Sequence, residues 1–232
     1  KFLQSQGLAR TLRMESIPAY RGVITDRYGE PLAMSTPVVS LWANPQELNV
    51  SPEKWPVLAK ALGIGESKLA DKIYRFRKKE FMYLDRQLAP ANADEVLSLS
   101  IAGVYGKQEF QRFYPAGEVT AHLLGFTNVD DQGQEGVELA YDEWLSGTSG
   151  RKQVLKDLSG RIIKDVAQLE TATSGKDISL SIDLRLQYLA YRELKAAVKA
   201  HDAASGSMVL LDAKTGEVLA MVNQPSFNPN DR

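Results

Sequence analysis

A chain of 232 residues is long enough to bury a substantial core, in one large domain or two modest ones. Its 28 Lys and Arg residues nearly balance its 29 Asp and Glu residues, and this net charge of −1 gives no reason to expect nucleic acid as a partner. Cysteine is absent, which excludes disulfides and thiol catalysis. The two histidines, His122 and His201, are too few for the usual zinc sites, so we expect no metal and no cofactor.

The first 20 residues carry Lys1, Arg10 and Arg13 and have neither a signal-peptide core nor a long apolar run. No stretch of about 18 apolar residues occurs anywhere in the sequence, so we expect no segment of it to span a bilayer. Because the first residue is not methionine, we expect the chain to be part of a longer protein.

Residues 23–34 alternate between apolar and polar side chains and are interrupted by Tyr28-Gly29-Glu30-Pro31, a pattern typical of a hairpin turn. A separate short strand is predicted at 38–42. Ser51 and Pro52 precede an apolar helical face that ends at Gly63, which predicts a short amphipathic helix capped by Ser51.

The following segments predict small helices and short strands in irregular alternation. The predicted helices lie at 66–80 and 90–100, and the predicted strands lie at 81–88 and 104–115. Residues 135–147 show the clearest helical periodicity of this half of the chain, with apolar residues at Val137, Ala140, Tyr141, Trp144 and Leu145. We therefore predict one amphipathic helix that buries this apolar face.

The C-terminal third begins with two charged, exposed strands predicted over 151–166 and joined around Leu158-Ser159-Gly160. A small polar linker at 171–177 marks the predicted domain boundary. A strand at 177–182, a long helix capped by Asp183 and two paired strands at 206–212 and 217–223 follow. The inner face of that helix is predicted to carry Leu186, Leu189, Ala190, Leu194 and Ala197.

Four short stretches match the motifs of serine enzymes that bind penicillin, which use Ser-x-x-Lys, Ser-x-Asn and Lys-Thr-Gly. They are Ser51–Lys54, Ser149–Lys152, Lys214-Thr215-Gly216 and Ser226-Phe227-Asn228. Lys-Thr-Gly precedes Ser-x-Asn here, which reverses the order those enzymes need, and neither candidate serine lies inside a convincing helix that would hold its lysine one turn away. We therefore interpret all four as coincidences.

Three longer motifs occur in order, beginning with RGVITDRYGEPLA, followed by RFYPAGEVTAHLLGF and GQEGVELAYDEWLSGTSG. They resemble the signatures of the non-catalytic domain of class B penicillin-binding proteins. Residues 180–194 and 206–230 are similar to the opening helix and first two strands of the family's transpeptidase domain. The stretches GFTNVDDQGQEGVE and PSFNPN are most similar to those of the septal, cell-division members of this family in Gram-negative bacteria. The residues that carry the motifs and are our candidates for a structural or interaction role are Arg21, Gly22, Asp26, Arg27, Gly29, Arg112, Tyr114, Pro115, Gly117, His122, Gly136 and Glu138.

The resemblance implies an α+β fold, with an irregular pedestal domain of the penicillin-binding protein dimerisation type followed by the first strand, helix and hairpin of a transpeptidase fold. It implies a juxtamembrane segment at 1–20, a pedestal at 21–175 and the beginning of the transpeptidase domain at 176–232, before the catalytic serine. No catalytic residue is therefore assigned in this chain. The parent enzyme is expected to cross-link peptidoglycan stem peptides at the division septum by serine acyl transfer.

The implied location is the periplasmic face of the inner membrane, with a single-pass anchor helix upstream of this chain. The implied partners are stem peptides and β-lactams through the catalytic domain, together with a septal glycosyltransferase and other division proteins of the membrane. A self-standing interaction module of the division machinery is the alternative, and an unrelated hydrolase that uses one of the candidate serines is a third hypothesis.

The charged residues of the three motifs can form charge-assisted hydrogen bonds that tie hairpins and helices together. We favour this structural role for Arg21, Asp26, Arg27, Arg112 and Glu138 over direct contact with a partner. His122, flanked by Leu123 and Leu124, is predicted to be a hydrogen-bonded framework residue and not a ligand or base.

Overall fold

The computed structural model describes residues 12–156 and 162–231. In these residues the strands are β1 (Leu12–Ile17), β2 (Ile24–Thr25), β3 (Pro31–Ala43), β4 (Met82–Leu88), β5 (Val104–Phe113), β6 (Gly150–Lys156), β7 (Ile162–Glu170), β8 (Ile178–Ser179), β9 (Gly206–Leu211) and β10 (Val218–Gln224). The α-helices are α1 (Pro45–Leu48), α2 (Trp55–Ala61), α3 (Glu66–Phe76), α4 (Pro90–Ser98), α5 (Ala121–Leu124), α6 (Gly136–Ala140), α7 (Asp142–Leu145) and α8 (Leu184–Ala200).

The chain folds into two compact units, each built from separate stretches of sequence. The first unit contains the described residues within 1–18, 37–110 and 149–172, and the second contains those within 19–36, 111–148 and 173–232. The mixture of short helices and short strands confirms the α+β class. The predicted domain limits at residues 20 and 175 stay predictions.

The first unit has an apolar core between its sheet and its helices. Strand β3 pairs with β4 in antiparallel fashion, with Ala43 opposite Met82, and also pairs with β5. Helix α3 forms because Leu69 and Ile73, four residues apart, lie on one face and are buried against this core. The buried apolar residues of the cluster are Leu41, Ala43, Leu48, Leu58, Ala59, Leu69, Ile73, Met82, Leu84, Ala93, Val96, Ile101 and Val104.

A separate antiparallel sheet in the first unit has the strand order β1-β6-β7. Strands β6 and β7 confirm the two strands predicted at 151–166, while the predicted turn around Leu158-Ser159-Gly160 lies outside the described residues. Strand β1 pairs with β6 over its whole length, from Leu12 opposite Leu155 to Ile17 opposite Gly150. The segment read as juxtamembrane therefore contains a strand that the sequence reasoning missed.

Two further details of the fold differ from the prediction. Residues 31–43 form one continuous strand and not two, because Pro37, which lacks a backbone donor, is exposed and accommodated within β3. Ser51 makes no side-chain capping hydrogen bond. A 3-10 turn at Pro52–Lys54 precedes α2 instead, so the predicted Ser51 cap is wrong.

The second unit has two smaller apolar clusters. Strand β2 pairs antiparallel with the start of β3 and parallel with β8, which confirms the predicted hairpin at 23–34. One apolar cluster surrounds these strands, and the other lies between α8 and the antiparallel pair β9-β10. Helix α8 begins where Asp183 accepts a hydrogen bond from the backbone N–H of Arg185, as predicted.

Two predicted apolar faces in the second unit are only partly correct. Residues 135–147 form two short helices separated at Tyr141, and the buried residues are Glu138 and Leu145, while Tyr141 and Trp144 are about half exposed. On α8, Ala190 and Leu194 are buried as predicted, and Leu186 packs against the same cluster. Leu189 and Ala197 are exposed, however, and Gln187 and Tyr191 are buried. In both helices a polar or amphipathic side chain occupies a core position.

Candidate functional site

A buried ion-pair cluster joins the three sequence motifs within the second unit. Glu138 is fully buried, and each of its carboxylate oxygens accepts a hydrogen bond from a different arginine. Arg21 Nε lies 2.8 Å from Oε2, and Arg112 Nε lies 2.6 Å from Oε1. Both arginine side chains are 1% exposed. The structure thus places one residue of each motif in a single charge-assisted network.

Arg21 uses the rest of its guanidinium to hold the loops around Glu138. Its Nη2 donates to the backbone carbonyl of Glu138 at 3.0 Å, and its Nη1 donates to the carbonyl of Asp131 at 3.1 Å and to Ser146 Oγ at 2.9 Å. Nη1 also pairs with the Asp142 carboxylate at 2.7 Å. One side chain therefore fixes the loop before α6 and both ends of α7.

Glycines allow the backbone to bring these groups together. Gly136, the first residue of α6, has a φ of +59°, and a Cβ there would lie 2.6 Å from the backbone nitrogen of Gly125. Gly22, beside Arg21, would place a Cβ 2.0 Å from the carbonyl oxygen of Lys176. Any side chain at these two positions would displace backbone, which explains why glycine occupies them.

The charges of the cluster set the ionisation of its members. Burial opposes the charge of Arg21, but the neighbouring Glu138 and Asp142 outweigh burial and raise the pKa of its guanidinium. Burial raises the pKa of Asp131 to about 6, with further repulsion from Glu138 and Asp142, although Arg21 and Arg112 oppose this rise. The site is therefore a network of two cations and two or three anions, depending on pH.

Three buried side-chain atoms of the cluster lack a hydrogen-bond partner among the described residues. They are the Nη1 and Nη2 atoms of Arg112 and the Oδ1 atom of Asp131. Asp131 has a φ of +63°, a left-handed conformation that aspartate and asparagine tolerate better than most residues. Sequence reasoning missed Asp131, Asp142 and Ser146, because loop carboxylates and hydroxyls carry no periodic signal.

Tyr114 connects the cluster to its surroundings. The residue is 2% exposed, and its hydroxyl accepts a hydrogen bond from the backbone N–H of Thr127 at 3.1 Å. Burial and the nearby Glu138 raise the pKa of its phenol well above the ordinary value. Tyr114 is therefore a neutral, buried member of the framework next to Arg112.

The other two charged candidates of the first motif, Asp26 and Arg27, lie outside the ion-pair cluster and make separate contacts. Asp26 is buried and organises the β2–β3 turn, where its Oδ1 accepts from the backbone N–H groups of Tyr28 and Glu30 at 2.7 and 2.9 Å. Its Oδ2 accepts from the N–H of Leu184 at 3.2 Å, which ties the turn to the start of α8. Gly29 occupies the turn with a φ of +87°. Arg27 lies at the surface and pairs with Glu217 at 3.3 Å.

The remaining candidates of the second motif lie away from the ion pairs. Pro115 is exposed, and Gly117 begins a 3-10 turn, Gly117–Val119, with a φ of +51°. His122 is exposed, and its ring meets the ring of Phe227 edge-on at 5.3 Å. For His122 the structure gives this aromatic contact and not the hydrogen bond that we predicted.

The short serine and lysine motifs have structural surroundings. Lys214-Thr215-Gly216 forms the β9–β10 turn, in which Asp212 Oδ1 accepts from the N–H groups of Lys214 and Thr215. Ser226 Oγ donates to the carbonyl of Glu118 at 2.7 Å. No serine hydroxyl in the described part of the chain is hydrogen-bonded to a lysine amine, the arrangement that would activate a nucleophile.

The described residues hold no group of three or more His, Asp or Glu side chains arranged to bind a metal ion. Among the same residues, no helix is both long and apolar enough to cross a membrane. The arrangement of the cluster can fix the geometry of strands, turns and helices, and it presents no activated nucleophile or acid–base pair to a substrate.

The chain belongs to the penicillin-binding protein family, since the model of the penicillin-binding protein dimerisation domain matches residues 16–180 and that of the penicillin-binding protein transpeptidase domain matches residues 206–232. This match confirms the resemblance to class B penicillin-binding proteins that the three motifs indicated. It also agrees with the α+β fold.

Two curated relatives are similar over essentially the whole chain. The peptidoglycan D,D-transpeptidase FtsI of Escherichia coli is 47% identical over 234 residues, which cover 99% of this chain and 40% of the relative. A probable peptidoglycan D,D-transpeptidase, PbpC, of Pseudomonas aeruginosa is 46% identical over 232 residues, which cover 100% of this chain and 41% of the relative. The chain thus spans about two fifths of the length of these relatives.

Solved structures support the fold. A penicillin-binding protein, PBP2, solved in complex with MreC from Helicobacter pylori is 22% identical with a TM-score of 0.67, and the match covers 95% of this chain and 44% of that protein. Penicillin-binding protein 2X from Streptococcus thermophilus is 22% identical with a TM-score of 0.66, and the match covers 94% of this chain and 36% of that protein.

Proposed function

We propose that this chain is the N-terminal, non-catalytic part of a peptidoglycan D,D-transpeptidase that cross-links stem peptides at the division septum and is a target of β-lactams. In this role the pedestal positions a transpeptidase domain, whose catalytic groups belong to a later part of the parent protein. The motif residues around Glu138 act as the structural framework of the pedestal.

One observation carries this proposal. The buried Arg21–Glu138–Arg112 network joins all three motifs in one compact unit, and the same unit contains residues 206–232, which match the transpeptidase family. Removing one partner of a buried ion pair is costly, because the remaining charge stays buried without a partner. A network of this kind suits a scaffold better than a reaction site.

The β9–β10 hairpin has the form expected of an incomplete sheet. The outer edge of β10 is occupied, because the Gln187 side chain bonds both the N–H and the carbonyl of Met221, at 2.8 and 2.7 Å. The outer edge of β9 has no hydrogen-bonded neighbour among the described residues, and Val209 and Leu211 are more than half exposed. An open apolar edge is suited to pairing with a further strand, which a complete transpeptidase domain would supply.

We further infer that the parent protein acts at the periplasmic face of the inner membrane, with an anchor helix upstream of this chain. Its expected partners are a septal glycosyltransferase and other division proteins of the membrane. The PBP2 of Helicobacter pylori was solved in complex with MreC, which gives a precedent in a protein of the same fold for partner binding. In the alternative, a self-standing interaction module, the chain would bind the same division proteins but would belong to no transpeptidase.

Labelling with a fluorescent penicillin tests the proposal. We expect the 232-residue chain to acquire no covalent label, because acylation needs an activated serine and supporting hydrogen-bond donors. We expect the full-length product of the parent gene to acquire a label that survives denaturation. The same full-length protein boiled before exposure is the control for non-specific attachment.

Two results would contradict the proposal. A full-length product that folds but acquires no label would favour the self-standing interaction module. A label on the 232-residue chain itself would mean that a candidate serine had been dismissed wrongly, and Ser51→Ala and Ser149→Ala would then show which one reacts.

A further inference from the structure

The segment that follows β10, residues 226–230, is attached to the second motif by contacts of three different kinds. Ser226 Oγ donates to the backbone carbonyl of Glu118 at 2.7 Å. The Phe227 ring makes edge-on contacts with the rings of His122 and Phe126, with centroids 5.3 and 6.1 Å apart. Such aromatic pairs are favourable beyond the area they bury. Asn230 makes the third kind of contact.

Asn230 binds Tyr114 as a neighbouring strand would. Its Oδ1 accepts a hydrogen bond from the backbone N–H of Tyr114 at 2.9 Å, and its Nδ2 donates to the backbone carbonyl of Tyr114 at 2.9 Å. The oxygen and the nitrogen of the Asn230 amide thus both bond the backbone of Tyr114. The two bonds together fix the orientation of the Asn230 side chain as well as its distance from Tyr114. Alanine can make neither bond, and an ionised carboxylate, which only accepts, can make just one of them.

Tyr114 in turn lies two residues after Arg112, whose Nε pairs with Glu138 at 2.6 Å. The Tyr114 carbonyl also accepts from the N–H of Gly117, and its buried phenol holds the N–H of Thr127. The Tyr114 backbone, which Asn230 contacts, is therefore held by the ion-pair cluster on one side and by the 114–127 loop on the other.

We propose that Asn230 is a positioning residue, which locks the chain leaving β10 onto the ion-pair cluster and so sets the orientation of the catalytic segments that follow. The inference rests on the proposed function, because it needs a transpeptidase domain to be positioned. Phe227 and Ser226 support the same attachment. Asn230 touches no reacting atom in this scheme and acts through the chain that it holds.

The first part of the test uses the 232-residue chain and does not depend on enzymatic activity. Amide hydrogen exchange of Tyr114, followed by NMR, is compared in the wild type, in Asn230→Ala and in Asp231→Ala. Asp231 is a matched control because it is an exposed neighbour on the same segment. We expect Asn230→Ala to raise the exchange rate of the Tyr114 amide about tenfold, since its hydrogen-bond acceptor is lost, and Asp231→Ala to leave it unchanged.

The second part uses the full-length parent protein. The rate constant of acylation by a fluorescent penicillin and the melting temperature are measured for the wild type, Asn230→Ala, Asn230→Asp and Asp231→Ala. We expect both Asn230 variants to lose about tenfold in the acylation rate at a temperature where all proteins are folded, because coupling through packed networks is typically worth a factor of this size. Asn230→Asp keeps an acceptor and loses the donor, so its Tyr114 amide should remain protected while acylation falls.

The outcomes separate this inference from the proposed function. Unchanged Tyr114 exchange in Asn230→Ala would overturn the attachment itself. Raised exchange together with a normal acylation rate and a lowered melting temperature would reduce Asn230 to a structural residue and overturn the positioning role. A wild-type parent that is never acylated would instead overturn the proposed function, and the positioning role with it, whatever the exchange data show.

Discussion

The two units of this chain are built on different kinds of core. Nine of the ten buried polar or charged side chains found among the described residues belong to the second unit, and Ser40 is the exception. The first unit has one cluster of thirteen buried apolar residues, whereas the second divides its apolar residues between two clusters of six and five. Hydrophobic burial therefore dominates one unit, while specific polar contacts organise the other.

This difference gives the two units different sensitivities. An apolar core tolerates changes that preserve its volume, since the hydrophobic effect has no direction. A buried ion network does not tolerate the loss of one member, because the remaining charges stay buried without a partner. The second unit should accordingly be the part of the chain in which single polar substitutions have the largest consequences.

Glu138→Ala should have the largest effect on stability. The substitution leaves Arg21 and Arg112 buried without their shared carboxylate, and we expect the free energy of unfolding to fall by about 3–5 kcal/mol. Urea denaturation followed by circular dichroism measures the change. Glu143→Ala, an exposed glutamate in the neighbouring helix α7, is the control and should change the free energy by less than about 0.5 kcal/mol. Equal effects of the two variants would mean that the ion pairs do not organise the second unit.

Leu69→Ala should have the next largest effect and should act through the first unit. Leu69 is fully buried on α3, and we expect a loss of about 2–4 kcal/mol from the missing apolar contacts and the cavity left behind. Leu69→Met, which nearly conserves the volume, should cost less than about 1.5 kcal/mol. The same denaturation experiment compares both variants. If Leu69→Met were as damaging as Leu69→Ala, shape and not burial would govern this core.

Asp131→Asn should have the smallest effect and should depend on pH. The pKa of Asp131 is raised by burial from the ordinary 3.8 to about 6 in the folded chain. Its protonated form therefore favours folding, and this contribution is complete below about pH 4 and is lost as the pH rises through about 6. Asparagine stays neutral and also tolerates the left-handed backbone at this position.

We therefore expect the Asn variant to match the wild type near pH 4 and to exceed its free energy of unfolding by about 1–3 kcal/mol at pH 7.5. Because other carboxylates titrate in both proteins, the measured quantity is the difference between them at each pH. A difference that does not change between pH 4 and pH 7.5 would show that Asp131 is not a titrating member of the cluster.

The sequence predicts the helices of the first unit, since they bury apolar residues at helical spacing, but it misses strand β1. Leu69 and Ile73 define the inner face of α3, and the buried residues of α4 are Ala93 and Val96. The sequence predicts separate strands up to residue 34 and over 38–42, whereas the structure accommodates the exposed Pro37 between them within one strand, β3.

The prediction of one amphipathic helix over 135–147 in the second unit is wrong for a physical reason. Besides Leu145, its helices bury Glu138, whose partners Arg21 and Arg112 lie 117 and 26 residues away in the sequence. A periodicity argument scores glutamate as solvent-facing and therefore does not predict that Glu138 is buried. For the same reason, periodicity does not predict that Gln187 on α8 is buried. Its side-chain amide bonds the N–H and the carbonyl of Met221, as a neighbouring strand would.

The motif resemblance identified Arg21, Arg112 and Glu138 as candidates, which periodicity alone could not do. Among the twelve candidates, the charged ones were predicted to form charge-assisted hydrogen bonds, and the structure joins these three. Asp26 instead holds the β2–β3 turn, and Arg27 pairs with Glu217 at the surface. Contacts between distant polar residues follow from the complete fold, so they are the part of the site that local sequence rules cannot supply.

Segment-resolved hydrogen exchange of the wild type, Glu138→Ala and Leu69→Ala tests most directly whether polar pairing holds one unit and apolar burial the other. Amide protection reports the local free energy of opening. We expect Glu138→Ala to lower protection within 111–148 and 173–231 while 37–110 stays protected, and Leu69→Ala to give the reverse pattern. A uniform loss of protection across both units in either variant would contradict this account.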